Sequence, residues 1–517
     1  MAAPVNVGLK RLAGLPPGTR PALVPAAPFP LPCAILPPPL QRWLPLTFIA
    51  LVALWLRTHD LARRPMHADE ANQAVKAGEL LEHGRYVYDP GDHHGPTLYY
   101  ATLPIAWLRG EHTLAALTET SIRLVPALAG TAAVLLLAAL AIPLGRWPAM
   151  VAAALLAVSP PAVYYSRYFI QETLLVTFTL AALVCAGQWW CKGNLRWAAA
   201  AGACIGLMQA TKGNAALFLG AAAVAASFAR ARRPTALLPW RDGLVAVGAA
   251  FFTFALLQSS LGANPAGLPD AFTALARGWT KLSGASGHEK PWWYYLSLFG
   301  WRRDGGLLWE QIVFTALACG GLGVAVFSRQ TLLRWAAIYT LVIVAALSLT
   351  PYKTPWHTVH LVPGFALLTT GALAAITRLN TGKIAAAAIG FVCLASLTHQ
   401  SWRAAFVRPA DERNPYAYVH SSPDVLKFRS LAAAALAEFP DRPVRMISEE
   451  YWPLPWYFRG LAKVGYWSTP PTDCEGALVI VSAAQADAVR ARLHGRYQES
   501  ILGLRPGFLC VVFTALR

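Results

Sequence analysis

The feature that most constrains the fold is a series of apolar segments of roughly membrane length. Apolar residues make up 56% of the 517-residue chain and charged residues only 14%, whereas a soluble protein carries roughly 25% charged residues. The chain therefore lacks the polar side chains to cover a water-exposed surface, and we predict an α-helical polytopic membrane protein. Its spans, about eleven in number, are expected near residues 43–57, 122–144, 147–164, 173–190, 196–211, 214–229, 243–261, 310–327, 335–350, 358–377 and 384–400.

The distribution of positive charge predicts how these spans are oriented. With the N-terminus in the cytoplasm, the short inner loops contain eleven Lys and Arg residues, whereas the short outer loops contain only Arg167, Lys212 and Lys353. Short loops rich in Lys and Arg stay inside, so we predict a cytoplasmic (inner) membrane protein with its N-terminus inside and its C-terminus outside. The cytoplasmic side then has fifteen cations and one acid, Asp242, or +14 of the net charge of +18. Membrane orientation accounts for most of the excess, and no nucleic-acid partner is needed.

The same prediction divides the chain into regions. A proline-rich cytoplasmic tail covers residues 1–42, and a membrane domain with long outer loops at 58–121 and 262–309 covers residues 43–400. An extracytoplasmic domain follows at residues 401–517. Segment 97–108 is apolar but would be only about 18 Å long as a helix, so we interpret it as lying at the interface. In the last region, short apolar strands alternate with helices, which indicates a small α/β domain. Cys474 and Cys510 in that domain could form one disulfide.

Unusual polar residues collect in the predicted outer loops. The first cluster contains Asp69 and Glu70, just after His67, and is followed by His93 and His94. Adjacent carboxylates could hold a divalent cation such as Mg²⁺ or Mn²⁺, or one could act as general base toward a hydroxyl. The alternative is a solvated acidic loop.

A second cluster, Tyr164 to Glu172, fills a short outer turn and includes Arg167. A carboxylate at the mouth of a span is usually functional, although interfacial Tyr and Arg could simply anchor such a turn.

The third group is cationic: Lys212, and Lys353 followed by Trp356 and His357. A lysine here could neutralise a phosphate at the interface, or its side chain could extend from the surface into water. Acids and cations thus converge on one membrane face from distant loops. An ion-coupled transporter would be expected to place charge near the midplane and to contain repeats, so the pattern favours chemistry at the outer interface.

Several motifs resemble those of the GT-C membrane glycosyltransferases, which include protein O-mannosyltransferases and aminoarabinose transferases. More narrowly, they resemble a prokaryotic family named after an archaeal flippase-activity-associated glycosylation protein. The matching segments are residues 67–70 (HADE), 93–96 (HHGP), 166–172 (SRYFIQE), 352–356 (YKTPW) and 451–457 (YWPLPWY).

The resemblance implies a GT-C fold and transfer of a sugar from a polyprenyl-phosphate-linked donor, within membrane lipids, to an acceptor that the sequence does not identify. It implies that Asp69 is the catalytic base or a metal ligand, with Glu70 and Glu172 orienting the acceptor or holding the ion. Arg167, Lys212 or Lys353 would bind the donor phosphate. The rim of the substrate site is expected to contain His67, His93, His94, Trp356, His357, Trp452 and Trp456, although the two tryptophans of 451–457 could instead pack that domain against the membrane core. The competing functions are a lipid-linked sugar flippase or its accessory subunit, and a nonenzymatic scaffold.

Overall fold

The computed structural model describes residues 44–89, 91, 94–229, 239–274 and 288–517. The proline-rich tail predicted at 1–42 lies outside these ranges. The helices are α1 (Leu44–Thr58), α2 (Ala68–His83), α3 (Thr97–Leu108), α4 (Glu119–Ala141), α5 (Arg146–Val158), α6 (Pro160–Tyr165), α7 (Glu172–Lys192), α8 (Leu195–Gln209), α9 (Ala215–Ala229), α10 (Trp240–Gln258), α11 (Tyr294–Phe299), α12 (Ile312–Phe327), α13 (Thr331–Leu349), α14 (Val362–Ile376), α15 (Gly382–Trp402), α16 (Val425–Glu438), α17 (Leu454–Tyr457) and α18 (Ala486–Arg490). A 3₁₀ turn at Pro355–His360 leads into α14, and a π-helical turn at Arg403–Val407 continues α15.

Helices lie at all eleven positions where the sequence predicts spans. Within the described ranges, six are long and apolar enough to cross a membrane: Glu119–Leu144, Glu172–Lys192, Trp240–Gln258, Thr331–Leu349, Pro355–Ile376 and Gly382–Val407. Four further apolar helices, α1, α5, α9 and α12, are shorter. The shortness of α5 has a local cause, since Pro160 and Pro161 end α5 and start α6. The protein is a multi-pass membrane protein, and the number of about eleven spans stays a prediction.

Close packing between the membrane helices depends on small residues. Gly202 and Gly206 are one turn apart on α8 and face α10. A Cβ atom on Gly202 would lie 2.0 Å from the Ala246 carbonyl oxygen, so only glycine permits this approach. This is the small-residue spacing by which membrane helices bring their backbones together.

The two long loops that the sequence predicts on the outer face contain short elements. The first contains α2 and α3; the latter is the 12-residue helix expected at 97–108, and its last residues Trp107 and Leu108 are exposed. The second contains α11 and an antiparallel hairpin of β1 (Trp301–Asp304) and β2 (Leu307–Glu310).

The C-terminal region contains a five-stranded mixed sheet. Its strands are β3 (Val444–Ile447), β4 (Val464–Trp467), β5 (Leu478–Ser482), β6 (Tyr497–Arg505) and β7 (Phe508–Ala515). They lie in the order β4-β3-β5-β7-β6, with β4, β3 and β5 parallel and the β5-β7 and β7-β6 pairs antiparallel. Cys474 and Cys510 pack in different hydrophobic clusters and both are free thiols, so the disulfide considered from sequence is not formed.

One of these clusters joins the sheet to the membrane part of the chain. Met446 and Ile480 of the sheet belong to the same buried cluster as Ala74 of α2 and Leu98 of α3, and Trp456 connects them. The sheet region therefore packs directly on the segment that bears the first acidic motif.

Candidate active site

The first acidic motif lies at the N-terminus of α2. His67 is the N-cap: its Nδ1 accepts a hydrogen bond of 3.0 Å from the Asp69 amide, and its Nε2 lies 3.1 Å from the Tyr418 carbonyl oxygen. The neutral ring with a proton on Nε2 satisfies both contacts. Asp69 and Glu70 occupy the first helical turn, where the helix dipole favours negative charge.

The Glu70 carboxylate is fully buried and paired with two arginines. Arg123 donates to it from Nε and Nη2 at 2.6 and 2.8 Å, and Arg64 Nη2 lies 3.1 Å away. The Phe169 amide adds a bond of 3.0 Å. Burial alone would raise the pKa of Glu70, but the charges of Arg123 and Arg64 outweigh it and hold that pKa well below its usual range. The structure therefore gives Glu70 a structural role in place of the substrate or metal role expected from sequence.

Asp69, in contrast, is exposed. Burial raises the pKa of Tyr352 to about 12, and the charges of both Asp69 and Glu172 contribute to that rise. The two carboxylates, which are distant in sequence, therefore both act on one tyrosine hydroxyl.

Glu172 begins α7 and is almost fully buried beside Lys212, with which it forms an ion pair. The Lys212 side chain retains 13% of its exposure. The turn that bears Lys212 is fixed to the loop between α2 and α3, since Thr97 Oγ1 donates to Thr211 Oγ1 at 2.8 Å and the Gly95 amide donates to the Thr211 carbonyl. Lys212 is thus held between Glu172 and the loop that follows α2.

The other two predicted phosphate ligands are engaged by backbone carbonyls. Lys353 is buried and its Nζ donates to the Thr350 carbonyl. Arg167 donates from Nη1 to the carbonyls of Leu56 and His59 and from Nη2 to that of Asp60. A cation at the C-terminal end of a helix stabilises its free carbonyls, so Arg167 caps α1 and is not directed at a donor phosphate.

The predicted rim residues of the loops differ in how far they are exposed. Trp356 is partly buried and its ring lies 6.4 Å from that of His67, in an edge-on arrangement. His94 is exposed and accepts a hydrogen bond at its carbonyl from Tyr86. His357 is buried, with Nδ1 3.1 Å from the Tyr295 hydroxyl. His93 lies outside the described residues.

The tryptophans of the C-terminal region differ from one another. Trp456 is fully buried, and its Nε1 donates to Glu119 at 2.7 Å. Tyr457 accepts a hydrogen bond of 2.8 Å from the Met66 amide. Trp456 therefore packs the sheet region on the membrane part and does not line a substrate rim, whereas Trp452 is only partly buried.

A divalent cation shared by Asp69 and Glu172 does not fit this arrangement. Lys212 already neutralises Glu172, and the arginines neutralise Glu70. Within the described ranges, no group of three or more His, Cys, Asp or Glu side chains is placed to hold a metal.

Sequence reasoning missed the residues that hold this site in place. Arg123 carried a usable signal, because an arginine in an apolar span is expected to have a buried partner. Tyr418 carried none, since its carbonyl contacts His67 from 351 residues away, and the bond from Arg64 to the Arg167 carbonyl spans more than one hundred residues.

Comparisons with known proteins agree with this architecture. A family profile described as dolichyl-phosphate-mannose-protein mannosyltransferase matches residues 103–257. No curated protein sequence matches the chain.

Solved structures show the similarity of the fold. ArnT from Cupriavidus metallidurans, bound to undecaprenyl phosphate, is 16% identical, with 90% of this chain and 97% of that chain covered and a TM-score of 0.66. The Archaeoglobus fulgidus oligosaccharyltransferase AglB, in complex with an inhibitory peptide and a dolichol-phosphate, is 12% identical over 89% of this chain and 73% of that one, at a TM-score of 0.53. The arabinofuranosyltransferase AftD from mycobacteria is 15% identical, with 95% of this chain and 41% of that chain covered, and its TM-score is also 0.53. By its architecture and by the family match, the chain has the GT-C fold of the membrane glycosyltransferases.

Proposed function

We propose that the protein is a membrane glycosyltransferase that moves a sugar from a polyprenyl-phosphate-linked donor to an acceptor at the outer face of the cytoplasmic membrane. The observation that carries this proposal is the exposed Asp69 carboxylate in a GT-C fold, whose charge acts on Tyr352 together with that of Glu172, the partner of Lys212. The ArnT structure with undecaprenyl phosphate supports a lipid-linked donor, and the Archaeoglobus fulgidus oligosaccharyltransferase tethered with an acceptor peptide supports an acceptor in the same fold.

The topology also favours a lipid-linked donor. With the N-terminus inside, the site lies on the outer face, where nucleotide sugars are not normally available. A donor anchored by a polyprenyl chain reaches that face within the membrane.

The chemistry requires a base and a stabilised leaving group. Asp69 accepts the proton of the acceptor hydroxyl, and the acceptor oxygen attacks the anomeric carbon of the sugar. The bond from that carbon to the phosphate oxygen breaks, and polyprenyl phosphate leaves with both electrons of the bond. Lys212 faces the departing phosphate, with Lys353 as a second cation, and Glu172 holds Lys212 in position. A Mg²⁺ or Mn²⁺ ion would first require Lys212 to leave Glu172, so we assign no step to a metal.

Reconstitution of the full chain in liposomes tests transfer against the competing functions. The probe is undecaprenyl-phosphate mannose with a radiolabelled sugar, and the acceptor source is the membrane fraction of a strain that lacks the gene. Label that moves from the donor into a new product supports transfer. Label that only changes leaflet supports a flippase, and label that does neither supports a scaffold.

Two variants of α2 sharpen the test. We expect Asp69→Asn to lower transfer by at least about a hundredfold, because general-base catalysis contributes roughly 10²–10⁴. Glu79→Gln is the matched control, since Glu79 lies on the same helix and pairs with the neighbouring Lys76 in a partly exposed bridge. Full transfer by Asp69→Asn would reject Asp69 as the base.

A further inference from the structure

A small cleft lies at the C-terminal end of α1 and shares Arg64, the partner of Glu70, with the cluster described above. It is lined by residues from three parts of the chain: Asp60, Leu61, Arg63 and Arg64 after α1, Tyr164 and Arg167 of the second outer turn, and Ala405, Phe406 and Pro409 at the end of α15. The acids and cations of the active site, Asp69, Glu172 and Lys212, do not contribute to its lining.

The cleft has an excess of positive charge. Its walls contain three guanidinium groups and one carboxylate, that of Asp60. Asp60 lies 3.8 Å from the exposed Arg63, in a bridge open to solvent, where such pairs contribute little. Burial, together with the nearby charges of Arg64 and Arg123, lowers the pKa of Arg167 to about 9. The three guanidinium groups against one carboxylate therefore favour an anion.

The inner wall of the cleft also contains a donor without a partner. Arg64 is only 7% exposed, and its Nε is buried with no hydrogen-bond partner in the described structure. The remainder of this guanidinium pairs with Glu70 and stacks over the Tyr168 ring at 4.2 Å. An unpaired buried N–H is costly, and an anionic oxygen in the cleft would satisfy it.

The outer edge of the cleft is an exposed aromatic stack. Trp55 of α1 and Trp402 of α15 are 48% and 41% exposed, and their rings are 5.9 Å apart and nearly parallel. Trp402 stacks in turn on Phe406, which lies under the Arg167 guanidinium at 4.4 Å. Tryptophans at the ends of apolar helices are typical of the membrane interface, so this aromatic surface continues from lipid into the cationic cleft.

We propose that this cleft binds the phosphate group of an anionic phospholipid, whose acyl chains lie along Trp55 and Trp402. Charge complementarity and the aromatic edge favour a phospholipid over free phosphate, which would gain nothing from the tryptophans. This lipid is distinct from the sugar donor, because the cleft does not share the acids and lysine assigned to transfer. The site therefore stands or fails independently of the proposed function.

Native mass spectrometry of the full chain in detergent tests this site. The ligands are palmitoyl-oleoyl phosphatidylglycerol and the phosphatidylcholine with the same chains. We expect tighter binding of phosphatidylglycerol and about a fivefold loss of its affinity in Arg63→Gln, the value for one cation near an anionic lipid. Asp60→Asn should raise that affinity by a similar factor, and Asn tolerates the left-handed backbone of this residue, whose φ is 54°. Arg303→Gln, which removes an exposed arginine from the β1–β2 hairpin, should change nothing.

Four results would overturn the proposal. They are equal binding of the two lipids, wild-type affinity in Arg63→Gln, an equal loss in Arg303→Gln, and displacement of phosphatidylglycerol by millimolar inorganic phosphate or equimolar undecaprenyl phosphate. Displacement by undecaprenyl phosphate would assign the cleft to the donor lipid, and displacement by inorganic phosphate would make it a soluble-anion site.

Discussion

Asp69 and Glu70 follow one another in the sequence, but their carboxylates lie in different surroundings. Asp69 is exposed, whereas Glu70 is enclosed by Arg64, Arg123 and the Phe169 amide. Removal of one partner from a buried ion pair leaves the other charge uncompensated and costs about 3–5 kcal/mol. Their roles can therefore be separated by two variants of similar size.

We expect Glu70→Gln to lower the free energy of unfolding by about 3–5 kcal/mol, and Asp69→Asn to change it by less than about 0.5 kcal/mol. Thermal unfolding of each purified variant in the same detergent measures the difference. Asp69→Asn should lose transfer while it stays folded. Wild-type stability in Glu70→Gln would contradict the structural role of this carboxylate.

Lys212 has two proposed tasks, to neutralise the buried Glu172 and to face the donor phosphate. Lys212→Gln should lower both stability and transfer, the latter by about a hundredfold. The double variant Lys212→Gln/Glu172→Gln contains no unpaired charge at this position, so it should recover stability but not transfer. Equal recovery of both properties would mean that Lys212 is only a structural partner of Glu172.

Residue roles were the least predictable part of the molecule. An arginine side chain has the same chemistry wherever it stands in a sequence. Arg167 is a helix cap only because the carbonyls at the end of α1, more than one hundred residues away, approach it. The indole of Trp456 likewise donates to Glu119, which lies over three hundred residues earlier. Sequence patterns identify which side chains carry charge or rings, and long-range packing decides what they contact.

Elements were more predictable, because the signals that define them are local. The apolar runs place the helices, although the break that the two prolines at 160–161 make between α5 and α6 falls inside the single span expected at 147–164. Short apolar runs indicated strands in the last region, and β3 and β5 lie there. The cap of α2 is equally local, yet His67 is an uncommon cap, and its role depends on a neutral ring whose Nδ1 accepts the Asp69 amide.

This cap makes α2 sensitive to pH. Burial is the main cause that lowers the pKa of His67 below its ordinary value of 6.5. Because the unfolded chain binds this proton more readily than the folded one, the stability that His67 contributes is present above about pH 6.5 and is lost as the pH falls. Protonation of Nδ1 would also remove the acceptor for the Asp69 amide.

We therefore expect His67→Asn, which keeps a capping oxygen, to unfold with less dependence on pH between about 5 and 7 than the wild type. His67→Ala should be less stable by about 1 kcal/mol at pH 7.5. Thermal unfolding across this pH range measures both effects. The same pH dependence in His67→Asn as in the wild type would assign the titration to another group.

At the scale of the whole molecule, the C-terminal region supports the proposed site although none of its residues is assigned to the chemistry. Tyr457 binds the Met66 amide next to the cap of α2, and Trp456 binds Glu119 at the start of α4. Arg459 stacks on Trp456 at 3.8 Å and donates to the Leu117 carbonyl. The sheet region and the acidic helix therefore share one core, and we expect them to unfold together.

Trp456 provides the test of that coupling. Trp456→Ala removes a fully buried indole and should cost about 3–5 kcal/mol, whereas Trp456→Phe keeps most of the ring, loses the bond to Glu119 and should cost about 1–3 kcal/mol. Calorimetry of the full chain should show one transition that moves to lower temperature in both variants, further for alanine. Transfer should fall with the folded fraction, because Asp69 is oriented from this core. Two transitions, only one of them sensitive to Trp456, would mean that the sheet region is an independent domain, and the orientation of Asp69 would then depend on the membrane helices alone.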